Sequence, residues 1–246
     1  MRIINLLLAF SIIMLMNTSC GSQGGEKEGE AAKSEEEWTI LFDGSSTENF
    51  RGYNQEEFPE QGWEIVDGTL HCIGSGKGEA GGKGGDIITK KKYGNFELSL
   101  EWKSSEGGNS GIFYLAQELE GKPIYMSAPE MQILDNERHP DAKLGENGNR
   151  QAGSLYDLIP ADPQNAKPAG EWNKVGIMVY KGTVVHSMNG ENVVEYHLWT
   201  DQWEEMCADS KFADWPEFIN TAEEGYIGLQ DHGDDVWFRN IKIKEL

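Results

Sequence analysis

Short runs of alternating apolar and polar residues dominate the chain from Trp38 onward, separated by glycine, asparagine and aspartate. A period of two is typical of strands that bury one face. Asp67-Gly68 and Asn189-Gly190 each lie between two such runs and predict tight hairpins, and Lys181-Gly182 is a weaker signal of the same kind. The pattern predicts these strands: Thr39–Phe42, Gly62–Val66, Thr69–Ile73, Asp86–Thr89, Phe96–Lys103, Gly111–Leu115, Glu130–Leu134, Trp172–Tyr180, Thr183–Met188, Val193–Tyr196, Gly225–Gln230 and Val236–Lys244.

Helical patterns are few. The sequence predicts one or two short helices, of which the clearest spans Asp201–Ser210, with Asp201 as its N-cap and an aromatic turn after it. Many short strands with so little helix predict an all-β sandwich or jelly roll. Two long irregular segments, Gly74–Gly85 and Asp135–Ala169, interrupt the strands, and long loops on a β scaffold usually carry function.

The first 20 residues follow a different pattern. Arg2 precedes the apolar stretch Ile3–Met16, and small and polar residues lead to Cys20. The stretch is too short for a comfortable membrane span and has the length of a signal-peptide core. It resembles a bacterial lipoprotein signal in which Cys20 becomes lipidated, although Asn17 replaces the aliphatic residue expected three places before the cysteine. An ordinary cleaved signal is the alternative.

Residues 21–37 are rich in glycine and acidic side chains and lack large apolar ones, so they predict a flexible tether. Residues 38–246 remain as one domain, long enough for a sizeable core. This organisation predicts a protein of the cell envelope, lipid-anchored in the periplasm or on the outer membrane, that touches the membrane through its anchor only.

Charge and cysteine content limit which partners, disulfides and metal ions the chain is expected to have. The net charge of −21 repels nucleic acid and anionic lipid headgroups but not neutral sugars. Cys72 and Cys207 could pair in an oxidising compartment, and we expect them to be unpaired. No cysteine or histidine cluster has zinc spacing, whereas oxygen ligands are plentiful. No cofactor is therefore certain, and a divalent cation is chemically possible.

Polar side chains occupy strand positions where apolar ones are expected. Glu130 and Gln132 share one face of a strand, which predicts the floor of a polar binding site. Asn109 leads into the strand at Gly111–Leu115. Asp231 and His232 lie on a glycine-flanked turn between two strands, and such groups are costly to bury unless they have partners or a task.

Each of these residues also has a structural interpretation. Asn109 could simply occupy a turn, and Asp231 could simply cap one, without any role in binding or catalysis. Glu101 could belong to a solvated face, and Arg239 could pair with a carboxylate. His139, in the acidic run Asp135–Asp141, could serve a metal or substrate loop or lie on a solvated surface. For His71, His186 and His197 we expect structural roles.

Several ordered motifs resemble the 3-keto-disaccharide hydrolase domain family over about Trp38 to Leu246. They are Leu41–Gly44, Trp63 with Asp67-Gly68 and Leu70, Asp86 with Thr89-Lys90, Tyr93-Gly94 with Phe96–Leu98, Glu101-Trp102, Asn109–Phe113, Glu130–Asp135, Gly170–Asn173, Asn189-Gly190 and Gly228–Ile243. The resemblance implies a concanavalin A-like jelly roll of two antiparallel sheets with a concave sugar-binding face. It also implies a substrate oxidised at its 3-hydroxyl, either a disaccharide or another glycoside.

A 3-ketone acidifies the proton on C2, so a base can form the enolate and the group at C1 can leave by elimination. Water then adds, and the net result is hydrolysis. The resemblance leads us to expect His232 or Glu130 as the base, with Asp231 orienting His232 and with His139 and Asp135 as a reserve acid–base pair or metal site. Candidate substrate-binding residues are Gln132, Asn109, Tyr156, Arg239, Lys90, Asp135 and Glu101, with Arg239 and Lys90 at the ketone oxygen.

Two other functions remain open from the sequence. A conventional glycoside hydrolase would need two carboxylates across the groove, and Glu130 with Glu101 is the pair that could supply them. A non-catalytic carbohydrate-binding lipoprotein is the other alternative.

Overall fold

A computed structural model describes residues 37–76 and 82–246 of the chain. The predicted signal, its Cys20 and nearly all of the predicted tether lie outside these residues. In chain order, the strands and helices are β1 Thr39–Phe42, β2 Phe50–Gly52, β3 Trp63–Val66, β4 Thr69–Cys72, β5 Ile87–Thr89, β6 Phe96–Ser104, β7 Asn109–Ala116, β8 Glu130–Leu134, β9 Asn173–Tyr180, β10 Thr183–Met188, β11 Glu191–His197, α1 Asp201–Ala208, α2 Pro216–Ile219, β12 Tyr226–Leu229 and β13 Val236–Glu245. Short 3-10 turns lie at Ile124–Met126 and Pro140–Lys143.

The strands form two antiparallel sheets, which confirms the predicted sandwich. The larger sheet has the order β11-β10-β9-β6-β13-β4-β3, with β1 paired to β13. The smaller sheet has the order β2-β5-β12-β7-β8. Strands that are neighbours in a sheet are often distant in sequence. The last two strands of the chain, β12 and β13, each lie inside a sheet between strands from earlier parts of the chain.

Three hairpins of the larger sheet turn where the sequence predicts. In each turn both central residues have positive φ: Asp67 and Gly68 join β3 to β4, Lys181 and Gly182 join β9 to β10, and Asn189 and Gly190 join β10 to β11. Such turns match the right-handed twist of the flanking strands. Local turn chemistry therefore determines this part of the topology.

The helical region differs from the prediction. The side chain of Thr200, not Asp201, caps helix α1 by accepting a hydrogen bond from the Trp203 N–H at 3.2 Å. Asp201 is instead the first helical residue, where its negative charge stabilises the helix by interacting with the helix dipole. The predicted aromatic turn contains helix α2, and the short strand β2 is not among the predicted strands.

The main core lies between the sheets and contains one polar cluster. Tyr114 on β7 hydrogen-bonds across the sandwich to His186 Nε2 at 2.8 Å and to the Tyr196 hydroxyl at 2.7 Å. His186 Nδ1 lies 3.0 Å from the Gly153 carbonyl, to which it donates. Burial lowers the pKa of His186 to about 4, so the imidazole is neutral. This confirms the structural role expected for His186.

Other features bear on the sequence predictions. Cys72 and Cys207 are both buried free thiols, as expected. None of the helices in the described part of the chain is long and apolar enough to cross a membrane. A second, smaller apolar cluster covers the outer face of the smaller sheet, where Ile88, Phe113 and Ile124 pack together.

Gly225 gives a test of the close approach between β12 and β7. A Cβ atom at this position would lie 2.1 Å from the Leu115 carbonyl carbon, and backbone cannot move aside as a side chain can. We expect Gly225→Ala to lower the free energy of unfolding by about 1–3 kcal/mol or more, measured by urea denaturation. Gly228→Ala is the control, because its nearest contact is the end of the Ile124 side chain at 2.7 Å. Equal losses in both variants would contradict this explanation.

Candidate active site

A cavity of about 430 Å³ opens on the outer face of the smaller sheet. Strand register explains why polar groups meet there. Glu130 lies opposite Phe113 and Gln132 lies opposite Gly111, while Gly228 lies between Phe113 and Ile88. Alternation puts all of these positions on the same face of the sheet. Glu130 and Gln132 therefore form part of the cavity floor, as the sequence predicted.

The carboxyl group of Glu130 occupies space that a glycine leaves free. A Cβ atom on Gly111 would lie 2.0 Å from Glu130 Oε1. Glu130 is 9% exposed, and no described residue donates a hydrogen bond to its carboxyl group. Burial raises the pKa of Glu130 to about 8. The positive charge of Lys211 opposes this shift, and the carboxylates of Asp86 and Asp141 add to it.

Asp86 is the second carboxyl group of the cavity and differs in one respect. It precedes β5, and its Oδ1 accepts a hydrogen bond of 2.9 Å from the Asp231 N–H. Burial raises the pKa of Asp86 to about 7, while the Asp231 N–H favours the ionised form. The nearby Asp231 carboxylate opposes this effect of its own N–H group, and the pKa of Asp86 remains the lower of the two.

Asn109 and His232 form the edge of the cavity nearest the β12–β13 turn. Asn109 Nδ2 lies 3.3 Å from His232 Nε2, and the Asn109 N–H donates to Asp234 Oδ2 at 3.1 Å. Asn109 Oδ1 and Gln230 Oε1 are buried acceptors without a donor among the described residues. Both residues line the cavity, so hydroxyl groups of a ligand could satisfy acceptors on this side.

Asp231 has a structural task that the sequence did not reveal. Its carboxylate accepts hydrogen bonds from the N–H groups of Gly84, Gly85 and Gly233 at 2.9, 3.0 and 3.1 Å, and from the Cys72 thiol at 3.4 Å. These bonds hold the end of the glycine-rich segment against the β12–β13 turn. The orienting of His232 by Asp231 stays a prediction.

His139 and Asp135 lie behind the cavity wall. The His139 ring meets the His232 ring edge-on at a centroid distance of 6.4 Å, and its Nδ1 accepts the Asp141 N–H at 3.2 Å. Asp135 accepts N–H donors from Gly107, Glu137 and Arg138. Burial alone would raise the pKa of Asp135, but these donors and the Arg138 charge outweigh it and lower the pKa. Asp135 thus organises its loop and does not line the cavity.

Tyr156 and Lys211 form another wall. Tyr156 donates its hydroxyl to Asp141 Oδ2 at 2.9 Å, and the Lys211 ammonium lies 4.1 Å above the centroid of the Tyr156 ring. Lys211 also pairs with Asp157 at 3.1 Å. Tyr156 was a sequence candidate, whereas Lys211 was not. Aromatic side chains of the segment around α2 complete this side: Phe212, Trp215 and Phe218.

Three sequence candidates lie elsewhere. Arg239 and Glu101 pair across β13 and β6 of the larger sheet, with bonds of 2.9 and 2.6 Å, and Arg239 stacks over Trp172 at 4.0 Å. Partial burial would raise the pKa of Glu101, but hydrogen bonds from Arg239 and Asn240 outweigh it and lower the pKa. Lys90 follows β5 as an exposed residue outside the cavity. The alternating pattern correctly predicts the strands that carry Glu101 and Arg239, but it cannot show which sheet those strands join.

The structure adds Asp86 and Lys211 to the site. Asp86 had a visible signal, a carboxylate directly before a wholly apolar pair of strand residues. Lys211 had none, because it lies in a short irregular segment between helices. Within residues 37–76 and 82–246, no group of three or more histidine, cysteine or acidic side chains is arranged to hold a metal ion.

The buried Glu130 carboxyl predicts a pH-dependent difference between the protein and Glu130→Gln. An ordinary glutamate ionises near 4.5 and folded Glu130 near 8, so folding takes up a proton between these values. Raising the pH through this window should destabilise the native protein relative to the variant by up to about 1.4 kcal/mol per pH unit. Thermal unfolding of both proteins from pH 5 to 8 measures this difference. Glu48→Gln is the control, because Glu48 is exposed. A difference in stability between the native protein and Glu130→Gln that does not change with pH would contradict the burial argument.

Comparisons with known proteins agree with this architecture. A protein of Bacteroides thetaiotaomicron named 3-keto-disaccharide hydrolase is 58% identical over 228 residues, which cover 85% of this chain and 78% of the relative. The crystal structure of a candidate glycosyl hydrolase from Parabacteroides distasonis superposes with a TM-score of 0.74 at 27% identity, covering 85% of this chain and 94% of that one. A Bacillus subtilis protein with a galectin-like fold matches at a TM-score of 0.50 and 14% identity, over 85% of this chain and 94% of that one, which supports the fold alone.

The family model for the 3-keto-alpha-glucoside-1,2-lyase-like domain matches residues 37–244, and this range includes every residue of the cavity. The predicted resemblance is thereby confirmed. The chain belongs to the family of the 3-keto-alpha-glucoside-1,2-lyase-like domain.

Proposed function

We propose that the protein is a glycan-degrading enzyme that cleaves 3-keto-glycosides, including 3-keto-disaccharides, by elimination followed by hydration. The observation that carries the proposal is the pair of cavity carboxyl groups, Asp86 and Glu130, whose pKa values are raised to about 7 and about 8. Such a pair holds one base and one acid together near neutral pH. The name of the 58% identical relative supports the substrate class.

Asp86 is the base in this mechanism. Its carboxylate removes the proton from C2, the electrons of that C–H bond move to the C3 carbonyl, and an enolate forms. The sequence alone favoured His232 or Glu130 for this step. The hydrogen bond from the Asp231 N–H supports Asp86 instead, because it favours the ionised carboxylate that a base needs.

Glu130 is the acid. As the enolate collapses, the bond from C1 to the leaving oxygen breaks, and Glu130 gives its proton to that oxygen. Water then adds to C1, with Glu130 accepting a proton from the water and Asp86 returning one to C2. Each carboxyl group thus ends in its starting state, and the net reaction is hydrolysis.

Polar groups around the pair suit a sugar ring. Gln132 is 2% exposed, and its side chain lines the cavity beside Glu130. Asn109 and Gln230 offer acceptors for sugar hydroxyls. His232, next to Asn109, is a further group for a sugar hydroxyl. Together these residues orient the ring so that C2 faces Asp86.

The rival functions have less support. The pair that the sequence offers a conventional hydrolase, Glu130 with Glu101, is not formed, because Glu101 is bound by Arg239 and Asn240 on the other sheet. Asp86 with Glu130 would also suit a conventional hydrolase, so the name of the 58% identical relative is what favours a 3-keto substrate. A binding module gains nothing from burying a carboxyl group without a donor, because the group weakens the fold at neutral and higher pH.

Turnover of a 3-keto-glucoside and its unoxidised parent, measured side by side with and without chelator, tests the proposal. We expect cleavage of the 3-keto compound only, with deuterium from the solvent entering C2. Cleavage of the parent at a similar rate would support the conventional hydrolase, and binding without turnover would support the binding module. Cleavage without deuterium at C2 would contradict elimination.

Variants separate the two carboxyl roles. Asp86→Asn should abolish both C2 exchange and cleavage. Glu130→Gln should slow cleavage of a 3-keto-disaccharide by about 10²–10⁴-fold, the usual contribution of acid catalysis. It should slow the 4-nitrophenyl 3-keto-glucoside far less, because that leaving group needs no proton. Equal losses on both substrates would contradict Glu130 as the acid.

We also propose that a lipid on Cys20 anchors the enzyme in the cell envelope. The order of Arg2, the apolar stretch and a single cysteine supports this. Replacing Cys20→Ser should abolish incorporation of labelled palmitate in cells and move the protein from the membrane to the soluble fraction. Undiminished labelling of the variant would contradict the assignment.

A further inference from the structure

Lys211 is the one lysine or arginine among the described residues that line the cavity. It lies in the segment between α1 and α2, far along the chain from the strands that carry the two carboxyl groups. Its charge acts on Glu130, whose pKa it lowers against the effect of burial. A positive group therefore lies within electrostatic range of the carboxyl group that serves as the proposed acid.

The position of the Lys211 ammonium is fixed by several contacts. Asp157 Oδ2 forms an ion pair with it at 3.1 Å, and the Tyr156 ring lies beneath it at 4.1 Å. Arg150 in turn holds Asp157 with bonds of 2.6 and 3.0 Å and holds Asp141 at 2.8 Å. Asp141 accepts the Tyr156 hydroxyl, which closes the network. The network orients both partners of the lysine and uses only part of its three N–H donors.

Elimination from a 3-keto-glycoside develops negative charge on the oxygen at C3. This charge needs a hydrogen-bond donor or a cation in place before the reaction begins. Arg239 and Lys90, the sequence candidates for this task, lie outside the cavity. A base and an acid alone would leave the enolate oxygen unstabilised in a partly buried site.

We propose that Lys211 is the catalytic residue that stabilises the enolate, with its ammonium donating a hydrogen bond to the oxygen at C3. This inference rests on the proposed function. When Asp86 takes the C2 proton, the electron pair moves into the C2–C3 bond and the carbonyl electrons move onto the oxygen. Lys211 keeps its proton throughout. When the bond from C1 to the leaving oxygen breaks, the C3 carbonyl re-forms, the electrons of the C2–C3 double bond move between C1 and C2, and the negative charge leaves on the oxygen that Glu130 protonates.

A purely structural role for Lys211 is the alternative, because its pair with Asp157 also ties the helical segment to the long loop. The chain offers a matched control. Lys122 pairs with Glu217 of the same helical segment at 3.0 Å and does not line the cavity. Lys122→Met removes a tether without removing charge from the cavity. Asp157→Asn removes the ionic partner of Lys211 while the chain keeps the Lys211 ammonium group itself.

The experiment compares Lys211→Met, Lys122→Met and Asp157→Asn with the native enzyme, using C2 deuterium exchange and cleavage of a 3-keto-glucoside across pH 6 to 10. We expect Lys211→Met to lose about 10²–10³-fold in both rates, as expected for loss of a transition-state donor. The descending limb of its pH profile should also move to higher pH, because Glu130 loses a nearby positive charge. Lys122→Met should stay within about twofold of the native rates, and Asp157→Asn should stay far more active than Lys211→Met.

The outcomes separate this inference from the proposed function. A native enzyme that neither exchanges C2 nor cleaves any 3-keto-glycoside overturns both. With an active native enzyme, equal effects of Lys211→Met and Lys122→Met, or an unchanged descending limb, overturn the role of Lys211 alone. Equal losses in Lys211→Met and Asp157→Asn assign the residue to the tether and overturn it as well.

Discussion

The burial of the Glu130 carboxyl group beside Gly111 is the constraint on which the site depends. The cross-strand position of a glycine creates the space, and any larger residue there would meet the carboxyl group at 2.0 Å. Because no described donor reaches Glu130, the group is costly to ionise, and its pKa rises to about 8. The fold gains nothing from this arrangement, which is why it points to chemistry rather than to stability.

The other charged side chains of the cavity are best described by how they differ from Glu130 or act on it. Asp86 shares the cavity but has a backbone N–H donor that favours its ionised form, and its pKa is the lower of the two. Lys211 limits how far the pKa of Glu130 rises, and it is the cation that we propose for the enolate oxygen. Asp231, the most conspicuous acid of the tail, instead binds the N–H groups of Gly84 and Gly85, which directly precede Asp86. The proposed acid, base and cation thus come from three separate parts of the chain.

Sequence reasoning predicted the sandwich because hairpin chemistry and alternation are local. Asp67-Gly68 and Asn189-Gly190 carry their turn geometry in two residues, and Glu130 with Gln132 share a face at any register. Arg239 and Glu101 could not be assigned correctly, because alternation gives the face of a strand but not the sheet that the strand joins. Lys211 reaches the cavity only through the packing of α1 and α2, and no periodicity records that contact. The interpretation of Asp86 depended on a hydrogen bond from Asp231, 145 residues away.

The central claim is that Glu130 holds its proton at neutral pH while Asp86 is already losing its own. Carbon-13 NMR titration of the two carboxyl carbons, assigned with Glu130→Gln and Asp86→Asn, tests this directly. We expect two coupled transitions, the first near 7 dominated by Asp86 and the second near 8 dominated by Glu130. Two transitions at the ordinary values of these side chains, about 4, would contradict the claim.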